Sequence, residues 1–124
     1  MRTLVVSNIM SLDGYYEGPG GNVMALPMDE AFDASNGERL RAADTPLLGA
    51  HSYLGFKEFW PPMADDPDAR PVLREIGRLE NAIEKVVVSD TLTSDDTGPW
   101  RSSTRIVRRA DAHRRVAELK EQPG

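Results

Sequence analysis

Two kinds of hydrophobic pattern alternate along the chain. The first residues, TLVVSNIM (Thr3–Met10), are rich in β-branched side chains and nearly continuous in apolar character. This pattern predicts a central strand covered on both faces. The next twelve residues, SLDGYYEGPGGN (Ser11–Asn22), include five Gly or Pro residues and predict a mobile loop. Loops of this length in a compact domain often have a function.

The rest of the chain alternates helical and strand patterns. Helices are predicted over Met28–Ala43, Ala50–Trp60, Pro71–Ala82 and Asp111–Glu121, with Pro61 and Pro62 ending the second. Strands are predicted at TPLLG, which is expected to be buried and ends at Gly49, at KVVVS (Lys85–Ser89) and at TRIV (Thr104–Val107). Strands separated by helices imply crossover connections. The fold class is therefore α/β, with a mainly parallel central sheet between layers of helices.

A parallel sheet also predicts where a ligand binds. Ligands of open α/β sheets lie outside the carboxyl ends of the strands. Those ends are Gly49, Ser89 with Asp90, and the loop that follows Met10. We expect these three segments to form one cleft.

Composition narrows the class of protein. The 124 residues are 40% hydrophobic and 28% charged, which suits one domain covering residues 1–124. The formal net charge of -5 disfavours a nucleic-acid partner, and the Arg-rich stretch RIVRRADAHRR is interpreted as a solvated helix face and its approach. The absence of cysteine removes disulfides, thiol nucleophiles and thiolate metal ligands.

Other classes of site and location are also disfavoured. The amino-terminal apolar run is too short for a signal sequence or a membrane span, and no later run approaches the needed length, so we expect a cytoplasmic protein without a membrane partner. The two histidines are far apart and no paired-carboxylate spacing accompanies them, so we expect no metal site.

One stretch, LLGAHSY (Leu47–Tyr53), suggests chemistry. A strand runs through Gly49 into a helix, and a helix start offers unpaired N–H groups and a positive dipole end to an anion. Gly49 has no side chain to obstruct a phosphate, and Ser52 has a hydroxyl to donate. The alternative is purely structural: Gly49 makes a tight turn and Ser52 caps the helix.

Three segments in this order resemble a known family. VVSNIMSLDGYYEGPGG, AADTPLLGAHSYLGFKEFWP and KVVVSDTL together resemble the dihydrofolate-reductase-like superfamily. Within it, the chain looks most like the reductase domain of riboflavin biosynthesis and its small bacterial relatives. The resemblance implies a three-layer αβα fold and a pyridine-nucleotide-dependent reductase of a pterin, pyrimidine or similar heterocycle. Hydride transfer is then the cofactor's chemistry, while the protein supplies orientation and a dry pocket.

The resemblance also implies roles for particular residues. The segment Ser11–Gly14, which includes Asp13, would begin a lid over the nicotinamide, and Gly49 with its helix would hold the pyrophosphate. Asn8 would lie next to the reactive ring. An acid on the first helix relays a proton in dihydrofolate reductases, and the spacing back from Gly49 fits Asp33. The acids in that helix also fit a structural role, since they complement its dipole.

This chain departs from the family pattern in the residues that would bind the 2′-phosphate of NADPH. The family commonly has Gly-Arg-x-Thr after the strand, whereas here the residues are Gly49, Ala50, His51 and Ser52. An Arg that often follows the Ser of VVVS is replaced by Asp90, beside Ser89. A carboxylate repels a phosphate and accepts hydrogen bonds from free ribose hydroxyls. We therefore expect that the protein either prefers NADH or binds NADPH poorly, with His51 as a partial substitute for the Arg or simply an exposed side chain.

The family also continues beyond the ending LKEQPG with further strands. The resemblance therefore suggests a sheet without its last strands, explained by truncation of a longer reductase, by donation from another chain, or by a homodimer across the open edge. The competing function is a non-catalytic remnant that binds a nucleotide or only dimerises.

Overall fold

The computed structural model describes all residues from 1 to 124. It contains three strands and four α-helices. The strands are β1 (Leu47–Gly49), β2 (Lys85–Val88) and β3 (Thr104–Val107); the helices are α1 (Glu30–Ala42), α2 (Ala50–Met63), α3 (Pro71–Ala82) and α4 (Ala112–Glu121). Short 3₁₀ segments lie at Pro19–Gly21, Val23–Ala25, Ser94–Ser103 and Arg109–Asp111. The chain is thus an α/β protein, as its alternating pattern predicts.

The sheet is small and parallel. Its order is β1-β2-β3, with Leu47 opposite Val86 and Lys85 opposite Thr104. Side chains of β2 alternate between the two faces. Val87 joins the core cluster with residues of α2 and α3, whereas Val86 lines a small pocket with Leu119 of α4. Helices therefore contact both faces of the sheet.

The core gathers around β2 and two tryptophans. Its six buried members are Tyr53, Trp60, Ile76, Val87, Leu92 and Trp100. The α3 helix packs on both α1 and α2. At the α2–α3 crossing the glycine Gly77 is buried, and a Cβ there would lie 2.8 Å from the backbone N of Ala64. Close approach of the two backbones requires glycine at this position.

The predicted strand over Thr3–Met10 is wrong. These residues form neither helix nor strand, and within residues 1–10 the only backbone hydrogen bond runs from Arg2 N to Lys120 O. Side chains hold the segment instead, since Arg2 donates to Thr45 Oγ1 and Ser7 Oγ accepts from Arg39. These contacts leave Leu4, Val5 and Val6 exposed beside the sheet.

Two further predictions, the burial of β1 and the end of α2, also differ from the structure. The β1 strand is an edge strand with Leu47 and Gly49 exposed, so it is not buried. The α2 helix runs past Trp60 through Pro61 and Pro62 to Met63. The two prolines have no N–H to donate, so carbonyls in the preceding turn of the helix lack their usual hydrogen-bond partner. Glu58 in that turn is exposed, so water can donate hydrogen bonds to these carbonyls. None of the four helices combines the length and apolar content needed to cross a bilayer.

Gly77→Ala tests the helix crossing. The added Cβ would meet backbone atoms of α2, at 2.8 Å from Ala64 N and 2.9 Å from Trp60 O, so we expect a loss of about 1 to 3 kcal/mol in the free energy of unfolding. Gly55→Ala is the matched control, since Gly55 lies in α2 with open space around it, and alanine there should gain about 0.5 to 1 kcal/mol. Urea unfolding measures both. Equal stabilities of the two variants would contradict the close approach of the α2 and α3 backbones at Gly77.

Candidate functional site

The carboxyl edge of the sheet begins with the start of α2. Gly49 ends β1 and is the N-cap residue of α2, with φ -80° and no side-chain hydrogen bond to the helix. A Cβ at Gly49 would meet no atom within 4 Å. The first N–H groups of α2 therefore have no side-chain acceptor at the N-cap, Gly49 is exposed, and the positive end of the helix dipole lies at this position.

The next strand adds two polar residues at this edge. Because Gly49 lies opposite Val88, the residues Ser89 and Asp90 come immediately beyond the paired part of the sheet. Both side chains already have backbone partners. Ser89 Oγ accepts from the N–H groups of Thr91 and Leu92, each at 3.1 Å, and Asp90 Oδ1 accepts from Arg109 N at 2.9 Å. Asp90 is exposed, and its other carboxylate oxygen makes no hydrogen bond to the protein.

Two arginines at the end of β3 were missed in the sequence. Val88 pairs with Val107, so Arg108 and Arg109 follow β3 at the same edge. Arg108 Nη1 donates to the carbonyls of Ser89 at 2.9 Å and Leu92 at 2.8 Å, which ties the loop after β2 to β3. Arg109 is exposed and pairs with no carboxylate. The sequence signal for these two arginines is their position directly after the predicted strand TRIV. The stretch that contains them is interpreted in the sequence only as a solvated helix face and its approach.

The structure therefore brings five predicted residues to one edge. They are Gly49, His51, Ser52, Ser89 and Asp90. His51 and Ser52 lie exposed on the first turn of α2 and make no side-chain hydrogen bond to the protein. A bare helix start, the exposed hydroxyl of Ser52 and an unpaired guanidinium form an arrangement that can receive a phosphate group.

The predicted lid residues lie in a separate turn. Ser11 Oγ donates to Asp13 Oδ1 at 2.6 Å and accepts from Tyr15 N, while Gly14 adopts φ 90° and donates its N–H to Ser11 O. Only a glycine adopts this φ without strain. Asn8 is exposed and makes no hydrogen bond. Because Thr3–Met10 is not part of the sheet, no strand carries this turn to the carboxyl edge.

The predicted proton relay has a structural partner. Asp33 is buried, 6% exposed, and its carboxylate pairs with the guanidinium of Arg70, the residue that precedes α3. Its neighbour Asp29 caps α1 by accepting from Phe32 N at 2.9 Å. The acids at the start of α1 thus link and cap helices in this structure.

A second cleft lies elsewhere, beside the free edge of β1. Its volume is about 600 Å³, and its lining comes from residues 1–5 and Ser7, from all four helices and from β1. The apolar lining residues include Leu40, Leu47, Trp60, Ile76, Val116 and Leu119. None of the five residues at the carboxyl edge lines it. We call this space the β1 cleft.

A buried acid borders the β1 cleft. Glu80 is 5% exposed and its Oε2 has no hydrogen-bond partner. Burial raises the pKa of Glu80, and the charge of Lys85 offsets part of this effect. Burial likewise lowers the pKa of Lys85, with Glu80 acting in the opposite direction. Lys85 Nζ donates to Ile83 O at 2.7 Å and lies 4.2 Å from the centroid of the Trp100 ring.

No group of three or more His, Asp or Glu side chains converges as a metal site requires. No family model, curated protein or solved structure matches this chain. The site is therefore interpreted from its own geometry.

Glu80→Gln tests the buried acid. Folding raises the pKa of Glu80, so ionisation of its carboxyl group opposes folding. The protonated carboxyl group stabilises the folded state at low pH, and this stabilisation is lost as the pH rises from the ordinary pKa of 4.5 through the folded-state pKa. We expect the stability of Glu80→Gln relative to the native protein to increase across this window in urea unfolding. Glu58→Gln, at an exposed position of α2 without an ion pair, controls for the loss of one charge. A difference between Glu80→Gln and the native protein that does not vary with pH would contradict the burial effect.

Proposed function

We propose that the carboxyl edge of the sheet binds the phosphates of a pyridine nucleotide and that the protein is a reductase of a pterin, pyrimidine or similar heterocycle. The observation that carries this proposal is the bare start of α2 at Gly49, open to solvent at the edge where parallel sheets bind ligands. The exposed Arg109 adds a positive charge to the same edge.

We propose NADH as the preferred cofactor. The free oxygen of Asp90 is an acceptor for a ribose hydroxyl, whereas its charge repels the 2′-phosphate of NADPH. His51 is a second cationic candidate when protonated, on the first turn of α2. Arg109 attracts the pyrophosphate of either cofactor, so it does not by itself choose between them.

For the reduction itself, the bound nucleotide would supply the hydride. The chain's own part would be to orient the heterocycle, with Asn8 next to the reactive ring, the turn of Asp13 and Gly14 as a lid, and Asp33 as the proton relay. Asp33 would have to release Arg70 before it could transfer a proton.

That ion pair favours the second candidate, a non-catalytic nucleotide-binding relative of such reductases. The carboxylate of Asp33 is occupied in a contact that links α1 to the start of α3, which is a structural role. The two candidates share the nucleotide site and differ only in turnover, so binding is tested first.

A titration with NADH and with NADPH tests the site. Transfer of tryptophan excitation to the bound nicotinamide should give saturable binding, and NADH should bind more tightly. Absence of saturation with either cofactor at about millimolar concentration, an affinity near -4 kcal/mol, would contradict the proposal.

Gly49→Asp separates the anion site from the fold. Aspartate is a favoured N-cap residue, and a Cβ at Gly49 meets no atom, so we expect α2 to gain a few tenths of a kcal/mol. The same carboxylate occupies and repels the phosphate, so nucleotide binding should weaken by about tenfold or more, about 1.4 kcal/mol. Gly55→Asp adds the same charge at an open position of α2 and serves as the control. Unchanged binding in Gly49→Asp would place the nucleotide elsewhere.

Asp90→Asn tests cofactor choice. Asparagine keeps the oxygen that accepts from Arg109 N and removes the charge, so the fold should be unaffected. We expect NADPH binding to tighten relative to NADH by about threefold to tenfold, measured in the same titration. An unchanged ratio of the two affinities would show that Asp90 does not face the ribose.

A further inference from the structure

The β1 cleft has the size and the apolar lining of a small-molecule site. Its volume is about 600 Å³, and such sites occupy about 300 to 1,000 Å³. Its apolar lining includes Leu40 from α1, Trp60 from α2 and Ile76 from α3. Trp60 and Ile76 belong to the buried core, and Leu40 packs against it. The core packing therefore fixes this part of the cleft before any ligand binds.

One buried polar group interrupts this apolar lining. Glu80 follows Ile76 by one helical turn on α3, lines the cleft and is 5% exposed. Its Oε2 is the one buried side-chain oxygen or nitrogen in the structure that has no hydrogen-bond partner. The last torsion of a glutamate side chain is broad and roughly two-fold, so either carboxyl oxygen can turn toward the cleft. Glu80 is thus an acceptor for which the fold supplies no donor.

The amino-terminal segment of the chain is part of the lining of the cleft. Residues 1–5 and Ser7 border the space together with the helices. The guanidinium of Arg2 donates to Thr45 Oγ1, and Ser7 Oγ accepts from Arg39. Both arginines of the lining thus already have acceptors. Because the segment itself lines the cleft, an occupant must be a separate molecule.

The charges of the lining favour a neutral ligand. Three cations and two acids line the cleft, namely Arg2, Arg39, Lys120, Asp44 and Glu80. A cationic ligand would meet this surplus of positive charge, and the charge of Lys85 already acts on Glu80. An anionic ligand would be repelled by the carboxylate at the polar end of the cleft. A neutral N–H or O–H group avoids both effects and donates to a carboxyl oxygen.

We propose that the β1 cleft binds a neutral apolar molecule with one N–H or O–H donor, and that this donor bonds to the carboxyl group of Glu80. Burial of the apolar body against the helices supplies most of the affinity. The hydrogen bond supplies selectivity, because an analogue without the donor leaves the buried carboxyl group unpaired. This site is separate from the nucleotide site at the carboxyl edge and does not depend on it.

A pair of matched probes, indole and benzothiophene, tests the site. Indole is a neutral apolar molecule with one N–H donor, and benzothiophene has nearly the same ring shape with sulfur in place of the N–H group. Each is titrated into nucleotide-free protein and followed by amide chemical shifts. We expect shift changes at Leu40, Ile76 and Glu80 with both probes. Indole should bind more tightly than benzothiophene by about fivefold or more.

Substitutions of Glu80 test the acceptor. In Glu80→Met the side chain is unbranched and apolar and has no carboxyl group, so indole should lose its advantage over benzothiophene. Glu80→Gln keeps a carbonyl oxygen and should retain part of that advantage. Glu58→Met, at an exposed position of α2, is the matched control and should leave the ratio of the two affinities unchanged.

The comparison of the two probes on the unaltered protein needs no variant, so it decides the proposal even where a variant of Glu80 fails to fold. Equal affinities for indole and benzothiophene would overturn the proposal. Shift changes centred outside the cleft, or no saturable binding of either probe at about millimolar concentration, would overturn it as well. Each of these results leaves the nucleotide proposal intact, since NADH and NADPH are titrated separately.

Discussion

The packing of Trp100 against Tyr53 and Lys85 is the contact on which the rest of the structure depends. Trp100 is 1% exposed, lies edge-on to Tyr53 with ring centroids 5.8 Å apart, and donates from Nε1 to Asn81 Oδ1 at 2.7 Å. The Lys85 ammonium lies over its ring, and Tyr53 shares a hydrogen bond with Thr104. One indole thus joins α2, the end of α3 and the first residue of β2, and Tyr53 extends this contact to the first residue of β3. Aromatic burial of this kind dominates the energetics of a small core.

This packing fixes β2 at the centre of the sheet and, with it, the geometry of the candidate site. Val86 and Val87 are almost fully buried, so the register of β2 against its two neighbours has little freedom. The register in turn sets Gly49, Val88 and Val107 level, so that Ser89 and Arg108 follow directly beyond them at the carboxyl edge. The α2 start can remain bare because the buried side chains of that helix, Tyr53 and Trp60, hold it in place.

The sequence predicts those helix bounds and strand ends that depend on the local pattern of residues. The α3 helix occupies its predicted range, Pro71–Ala82, since proline suits a helix start and its apolar residues recur at helical spacing. The end of β1 at Gly49 was equally predictable. The pairing of Asp33 with Arg70 and the burial of Lys85 were not, because both depend on contacts between elements distant in the sequence. The strand over Thr3–Met10 fails for the same reason, since an apolar run forms a strand only where a neighbouring strand accepts it.

The central claim is that nucleotide binding belongs to the carboxyl edge of the sheet and not to the β1 cleft. Amide chemical-shift mapping by NMR with NADH tests it most directly. The account predicts shift changes concentrated at Gly49–Ser52, at Ser89–Asp90 and at Arg109. Changes centred instead on the cleft residues Leu40, Ile76 and Val116, or no changes at all, would contradict it.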